Sequence, residues 1–175
     1  MQQIYLDNAS TTFPKPQVVA DAVYQYITHA GTNISRGTCA TSSESLVYTT
    51  RELLCEFFGA EDSKNVIFTK NVTESLNIVI KGLLRGGDHV LVSAMEHNAV
   101  MRPLQQIGTE LTADNAPADA ITFSRIPCNA EGTLRLDALP QLVRSNTKAI
   151  IMTHASNVCG TLQPLAAIGS FCHKH

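Results

Sequence analysis

The sequence predicts an α/β protein of the doubly wound class, in which helices cover both faces of a mainly parallel sheet. Four short runs are apolar throughout, as in strands buried on both faces, whereas a half-exposed strand would alternate. Segments with apolar residues at helical spacing lie between these runs. Three polar stretches follow the predicted strands, at the sheet edge where ligands bind in such folds. The predicted strands are Val66 to Thr69, His89 to Ser93, Ile121 to Ile126 and Lys148 to Thr153.

Two amphipathic helices precede the first predicted strand. Apolar residues recur at helical spacing from Val18 to Ile27, behind two prolines, and again from Leu46 to Phe58. Later helical periods cover Thr73 to Leu84, Ala99 to Ile107, Leu134 to Val143 and the segment from Pro164 onward. Strands and helices therefore alternate, and no repeat or shift in composition marks a domain boundary.

The composition is that of an ordinary globular protein. Of 175 residues, 44% are hydrophobic and 16% are charged, which is enough apolar material for one core. The formal net charge of -2, without a run of like charges, gives no reason to expect nucleic acid or a membrane surface as a partner. No apolar stretch approaches the roughly 20 residues that span a bilayer, and the first residues do not resemble a signal peptide. A cytoplasmic location is expected.

The five cysteines are scattered and contain no C-x-x-C pair. Reduced thiols are therefore expected, and neither a disulfide framework nor a zinc knuckle is indicated. For Cys159, a small residue in a tight turn is favoured over a nucleophile.

The first polar stretch, Asn71 to Glu74, opens a helix. The first amides of a helix have no intrahelical partner, and the helix dipole favours an anion there, so a phosphate group fits. Thr73 could add a hydroxyl donor, although a threonine at this position often only caps its helix. No Walker A loop is present, which argues against a nucleoside triphosphatase.

The second stretch contains Glu96 and His97, which are adjacent at a strand end. Successive side chains point to opposite sides of a strand, so joint chelation of one metal is awkward, and the spacing of known zinc motifs is missing. For His97 the alternatives are a flat ring over a planar ligand, a proton carrier at neutral pH, or a histidine bonded only to neighbouring backbone.

The third stretch contains Asn157, whose amide could donate to a ligand oxygen or serve only local turn bonding. One anion site, one ring and one amide donor would then lie on a single edge of one sheet. That arrangement suits a flat, phosphorylated cofactor.

Four ordered motifs resemble the cysteine desulfurases and selenocysteine lyases of the class V aminotransferase group. They are "IYLDNASTTFPKP", "FTKNVTESLNIVIKGLL", "GDHVLVSAMEHNAVMRPL" and "HASNVCGTLQPLAAIG". The resemblance implies a pyridoxal 5'-phosphate (PLP) enzyme of fold type I, with a three-layer α/β/α large domain, usually a homodimer. An amino-acid substrate and a sulfur-acceptor protein would be its partners.

The resemblance also assigns roles to residues. His97 would stack on the pyridine ring of the cofactor and shuttle protons, Val72 and Thr73 would hold the phosphate, and Asn157 would bond the phenolic oxygen. Asn8 and Ala9, in the "DNAS" loop, and Arg36 would bind the substrate or lie near the dimer partner. No metal site is implied.

The resemblance covers only the first part of such an enzyme. The chain would form a single partial domain, 1–175, in which 1–40 make an N-terminal arm, the first helix and an active-site loop. Residues 41–175 would make the first half of the cofactor-binding domain. The Schiff-base lysine would lie beyond the match, so the chain is expected to be inactive alone. The first and fourth predicted strands would then each have an unpaired edge.

Two other interpretations stay open. The chain could be a non-catalytic module that keeps the half-fold as an assembly or binding surface. It could also be a metal-dependent hydrolase that uses His97, His154 and Glu96.

Overall fold

The structure, a computed structural model, describes residues 4–29, 43–111, 117 and 119–175. The chain divides into two compact units, Met1–Phe68 and Thr69–His175. Each unit is described by itself below. The assignment of 1–40 and 41–175 to separate functional parts stays a prediction.

The first unit contains two helices, α1 (Gln17–His29) and α2 (Ser43–Phe58), and a 3-10 turn at Ser63–Asn65. The helices agree with the predicted periods to within a few residues. The 3-10 turn begins where the carboxylate of Asp62 accepts a 2.8 Å hydrogen bond from the main-chain N–H of Lys64.

The second unit is a four-stranded parallel sheet with helices on both faces. Its helices are α3 (Val72–Leu83), α4 (Asn98–Ile107), α5 (Leu139–Leu142) and α6 (Leu165–Cys172). Its strands are β1 (His89–Ser93), β2 (Gly108–Glu110), β3 (Ile121–Ile126) and β4 (Thr147–Ile151), in the order β2-β3-β1-β4. The predicted bounds of β1 and β3 are confirmed.

The core explains why β1 is apolar at every position but its ends. Val90 and Val92 belong to one buried cluster together with residues of α3 and α4, including Ile80 and Leu104. Leu91 points to the opposite face and belongs to a second cluster with α5 and α6. Successive side chains of a strand face opposite sides, so both faces of β1 are covered. The prediction of a doubly wound layer is confirmed.

The predicted strand at Val66 to Thr69 is wrong. Val66 has an extended backbone, but the segment forms no ladder with any strand in the described part of the chain. An apolar run becomes a strand only when a partner strand takes its main-chain hydrogen bonds, and local sequence cannot supply that partner.

Two other predicted elements change length. β4 ends at Ile151 because the N–H of Thr153 donates to a side chain, the carboxylate of Glu96, instead of to the ladder. The predicted helix from Leu134 to Val143 shortens to a 3-10 turn at Leu136–Ala138 followed by α5, because Leu134 pairs antiparallel with Cys128.

Within the described ranges, no helix has both the length and the apolar character needed to cross a bilayer.

Candidate functional site

A cleft of about 450 Å³ lies between α3 and α4, and its lining runs from the start of each helix to the last turn of α4. Its lining residues are Thr73, Asn77, His97, Asn98, Ala99, Arg102, Pro103 and Gln106. This volume is within the range of small-molecule sites. The cleft contains two predicted site residues, Thr73 and His97, which come from different stretches of the sequence.

The start of α3 is organised so that two amides stay available. The side chain of Asn71 caps the helix, accepting a 2.9 Å bond from the N–H of Glu74. The Glu74 carboxylate reaches back to the N–H of Lys70, at 2.8 Å. The N–H groups of Val72 and Thr73 have no acceptor among the described residues. The cap is thus Asn71, and the Thr73 hydroxyl is not used for capping.

His97 is the N-cap of α4. Its Nδ1 accepts a 3.0 Å hydrogen bond from the N–H of Ala99, two residues along the helix. In the neutral ring the proton is therefore on Nε2, which can donate to a ligand. The histidine is exposed and lines the cleft, so local backbone bonding and ligand contact are both compatible with its position.

Glu96 has a structural role. Its Oε1 accepts hydrogen bonds from the Ser93 hydroxyl and from the N–H of Thr153, both at 2.6 Å. Among the residues that the structure describes, no three His, Cys, Asp or Glu side chains are grouped as metal ligands. The occupied carboxylate argues against the hydrolase interpretation, because Glu96 was to be its acid or ligand.

Val72 and Asn157 do not line the cleft. Val72 is the first residue of α3, and its side chain is 66% exposed. Asn157 is exposed in the turn after β4, which Ser156 and Thr161 close with a 3.0 Å main-chain bond. The structure thus brings Thr73 and His97 together, and Asn157 lies outside that group.

The predicted substrate residues belong to the first unit or outside the described residues. Asn8 and Ala9 are exposed in a turn, where the Asn8 side chain accepts a 3.3 Å bond from the N–H of Phe13. Arg36 lies outside the described residues.

The sequence analysis missed the other polar residues of the cleft, which are Asn77, Asn98, Arg102 and Gln106. Their signal is helical spacing, because Asn77 follows Thr73 by four residues and Arg102 follows Asn98 by four. Extending each motif by one helical turn would have found Asn77 and Arg102, and a second turn of α4 would have reached Gln106.

Cys159 is exposed in the same turn as Asn157. Hydrogen bonding to the hydroxyl of Ser156, and then to Thr161, lowers the pKa of the Cys159 thiol from 9.0 to about 7. Its Sγ is 3.2 Å from the Thr161 hydroxyl oxygen. A lowered pKa favours the thiolate, which is the nucleophilic form of cysteine.

A second cleft, of about 540 Å³, lies along β4 and the end of α6, with Lys148, Phe171 and His175 in its lining. It contains none of the predicted residues. We therefore place the candidate site at the α3–α4 cleft, where the predicted chemistry converges.

A doubly wound parallel layer with two unpaired main-chain amides at a helix start and a histidine on one cleft is typical of α/β proteins that bind small ligands. The chain belongs to the aminotransferase class V family, whose profile matches residues 4–175. The predicted family is thereby confirmed.

Relatives that the chain matches include cysteine desulfurases. It is 34% identical to a probable cysteine desulfurase of Vibrio cholerae serotype O1, over 98% of this chain and 42% of the relative. It is 31% identical to a cysteine desulfurase of Escherichia coli K12 / DH10B, over 98% of this chain and 41% of the relative. The chain thus spans about two fifths of the length of the curated relatives that it matches.

Solved structures share the fold. The cysteine desulfurase CsdA of Escherichia coli superposes with a TM-score of 0.72 at 28% identity, over 97% of this chain and 42% of that one. SspA in complex with cysteine superposes with a TM-score of 0.79 at 26% identity, over 98% and 48%. The fold-type-I assignment, as a partial α/β domain, is confirmed.

Proposed function

We propose that this chain supplies the cofactor-binding portion of a PLP-dependent cysteine desulfurase, which removes sulfur or selenium from an amino acid. The observation that carries the proposal is that Thr73 and His97, assigned separately to phosphate and ring, line one cleft. The relatives, which are cysteine desulfurases, support the reaction class.

The donor groups at the start of α3 and the ring of His97 fit such a cofactor. The amides of Val72 and Thr73, with no acceptor of their own, and the Thr73 hydroxyl offer donors to a phosphate at the start of a 12-residue helix. The His97 ring offers a flat face to a pyridine ring. When bound, PLP supplies an electron sink for amino-acid chemistry.

His97 contributes orientation and a proton. The Ala99 N–H holds Nδ1 and fixes the ring, so Nε2 is the nitrogen that donates to a bound group. Positioned proton transfer of this kind typically contributes about 10²- to 10⁴-fold to a reaction rate.

Substrate and partners follow from the relatives. The SspA structure contains cysteine, and we extend this to an amino acid bearing a sulfur or selenium leaving group. Asn8, Ala9 and Arg36 as substrate residues, Asn157 as a cofactor residue, the homodimer and the sulfur-acceptor protein stay predictions. So does inactivity of the isolated chain.

Cofactor binding can be tested without catalysis. We would dialyse the 175-residue chain against 4'-deoxypyridoxine 5'-phosphate, which lacks the aldehyde and cannot form imines with surface lysines. The same measurement with 4-deoxypyridoxine removes only the phosphate. Thr73→Val should weaken binding of the phosphorylated analogue about 10-fold or more, because a hydrogen bond to a charged group is lost.

His97→Ala should weaken binding of both analogues, because the His97 side chain is proposed to contact the pyridine ring that the two analogues share. Ser170→Ala and His173→Ala, at exposed positions outside the cleft, are the matched controls and should change nothing. If the wild-type chain bound neither analogue, the proposal would be wrong and the non-catalytic module would be favoured.

A further inference from the structure

Arg102 is the one charged side chain in the lining of the α3–α4 cleft, as far as the structure describes it. It is exposed, and it forms no hydrogen bond or ion pair with another described residue. The other lining residues are neutral polar or apolar, apart from His97. The cleft therefore carries a net positive charge at neutral pH and favours an anionic ligand.

The carboxylates of Glu74 and Glu96, next in sequence to Thr73 and His97, are occupied elsewhere. Glu74 accepts from the N–H of Lys70 and lies 3.8 Å from that residue's ammonium group. Glu96 is held by Ser93 and Thr153. Neither lines the cleft. None of the described residues thus neutralises the charge of Arg102, whose guanidinium is exposed.

The position of Arg102 in α4 directs it toward the end of the cleft that contains His97. Side chains on a helix tilt toward its N-terminus, and His97 caps the N-terminus of α4. Lys81, the lysine of α3, donates a 2.9 Å hydrogen bond to the side chain of Gln106. Gln106 lies one turn beyond Arg102, away from the cap.

We propose that Arg102 is a phosphate-binding residue of this cleft, which completes with a guanidinium the donor set begun by Thr73. The proposal rests on the proposed function and deepens it. A guanidinium matches phosphate geometry with two parallel N–H donors, whereas Thr73 and the helix start offer single donors. The cofactor phosphate would then be neutralised by this chain itself.

The test uses the same pair of analogues, with and without phosphate. Arg102→Gln should weaken binding of 4'-deoxypyridoxine 5'-phosphate about 10-fold or more and leave 4-deoxypyridoxine binding unchanged. Arg102→Lys should retain part of the affinity, because lysine keeps the positive charge but lacks the two parallel N–H donors of the guanidinium. Inorganic phosphate should compete with the phosphorylated analogue in the wild-type chain more strongly than in Arg102→Gln.

The matched control is Arg135→Gln, the same substitution at an exposed arginine paired with Asp137 outside the cleft. It should leave both affinities unchanged. Equal losses for both analogues, or loss in the control variant, would overturn the role in phosphate binding. So would unchanged binding of the phosphorylated analogue by Arg102→Gln. If Arg102→Gln changed nothing while Thr73→Val and His97→Ala still weakened binding as expected, Arg102 would have no role in phosphate binding and the proposed function would stand.

Discussion

The carboxylate of Glu96 accepts a 2.6 Å hydrogen bond from the main-chain N–H of Thr153, 57 residues later in the chain. The same oxygen accepts from the Ser93 hydroxyl. The residue beside the cleft histidine therefore joins the ends of β1 and β4. Glu96 therefore holds the two strand ends together, whereas His97 lines the α3–α4 cleft.

Glu96→Ala should lower the free energy of unfolding by about 1–3 kcal/mol, because a half-buried main-chain donor loses its acceptor. Glu96→Gln keeps an acceptor oxygen and should cost less. Urea denaturation followed by circular dichroism measures both. Glu131→Ala, which removes an exposed carboxylate without side-chain bonds, is the control and should stay within about 0.5 kcal/mol of wild type.

His89 should make the stability of the protein depend on pH. It is fully buried between the hydroxyls of Thr147, at 2.8 Å, and Ser124, at 3.0 Å. Burial, with a contribution from the positive charge of Arg144, lowers the pKa of His89 from 6.5 to about 4. Between pH 6.5 and about pH 4, His89 binds a proton in the unfolded chain but not in the folded chain. The free energy of unfolding is therefore highest above pH 6.5 and falls by up to about 3 kcal/mol as the pH drops to about 4.

Unfolding free energies at several pH values test this, and His89→Gln should remove that part of the slope. His173→Gln, at an exposed histidine, should leave the slope unchanged. Because the His89 variant could fold poorly, the ring should also be titrated directly by NMR. A His89 pKa near 6.5 in the folded wild type would contradict the prediction.

Cys159 should react with iodoacetamide at lower pH than an ordinary thiol. The rate should reach half its maximum near pH 7, since hydrogen bonding lowers the pKa of this thiol to about 7. Ser156→Ala removes the largest cause and should move the midpoint to higher pH. Peptide mapping by mass spectrometry gives the rate for each cysteine, and the exposed Cys172 is the internal comparison. A Cys159 midpoint in the wild type above 8 would refute the assignment.

Two glycines should respond in opposite directions to alanine. A Cβ at Gly86 would lie 2.6 Å from the main-chain oxygen of Asp119, so Gly86→Ala should destabilise by about 1–3 kcal/mol through backbone displacement. A Cβ at Gly82, within α3, meets nothing within 4 Å, so Gly82→Ala should stabilise by about 0.5–1 kcal/mol. Thermal melts of the pair measure the difference. Similar shifts in the same direction would contradict the packing at Gly86.

The sequence predicted elements that depend on local pattern and failed where a distant partner decides. β1 was readable because both of its faces are apolar, and α3 and α4 because their apolar spacing is regular. The segment at Val66 to Thr69 has the same local pattern as β1, but it has no strand beside it. The three-residue strand β2 is too short to show a period.

The candidate site was predicted in part for a similar reason. Thr73 and His97 stand at helix starts, where the chemistry of main-chain amides can be read from a few residues. Arg102 lies one turn deeper in α4, and only the packing of α3 beside α4 places it on the same cleft as Thr73. The hydrogen bond between Glu96 and Thr153 could likewise not be predicted from a local motif, because the two residues are 57 positions apart.

The unpaired segment at Val66 to Thr69 has a practical consequence for handling this protein. Proteases bind their substrates as extended strands, and this stretch lies in no helix or strand, with Ile67 75% exposed and Phe68 48% exposed. Chymotrypsin should therefore cleave after Phe68 well before it cuts within β1. Brief digestion would then give two fragments that meet at the boundary between the two compact units, and the larger one would carry the whole α3–α4 cleft for crystallisation trials.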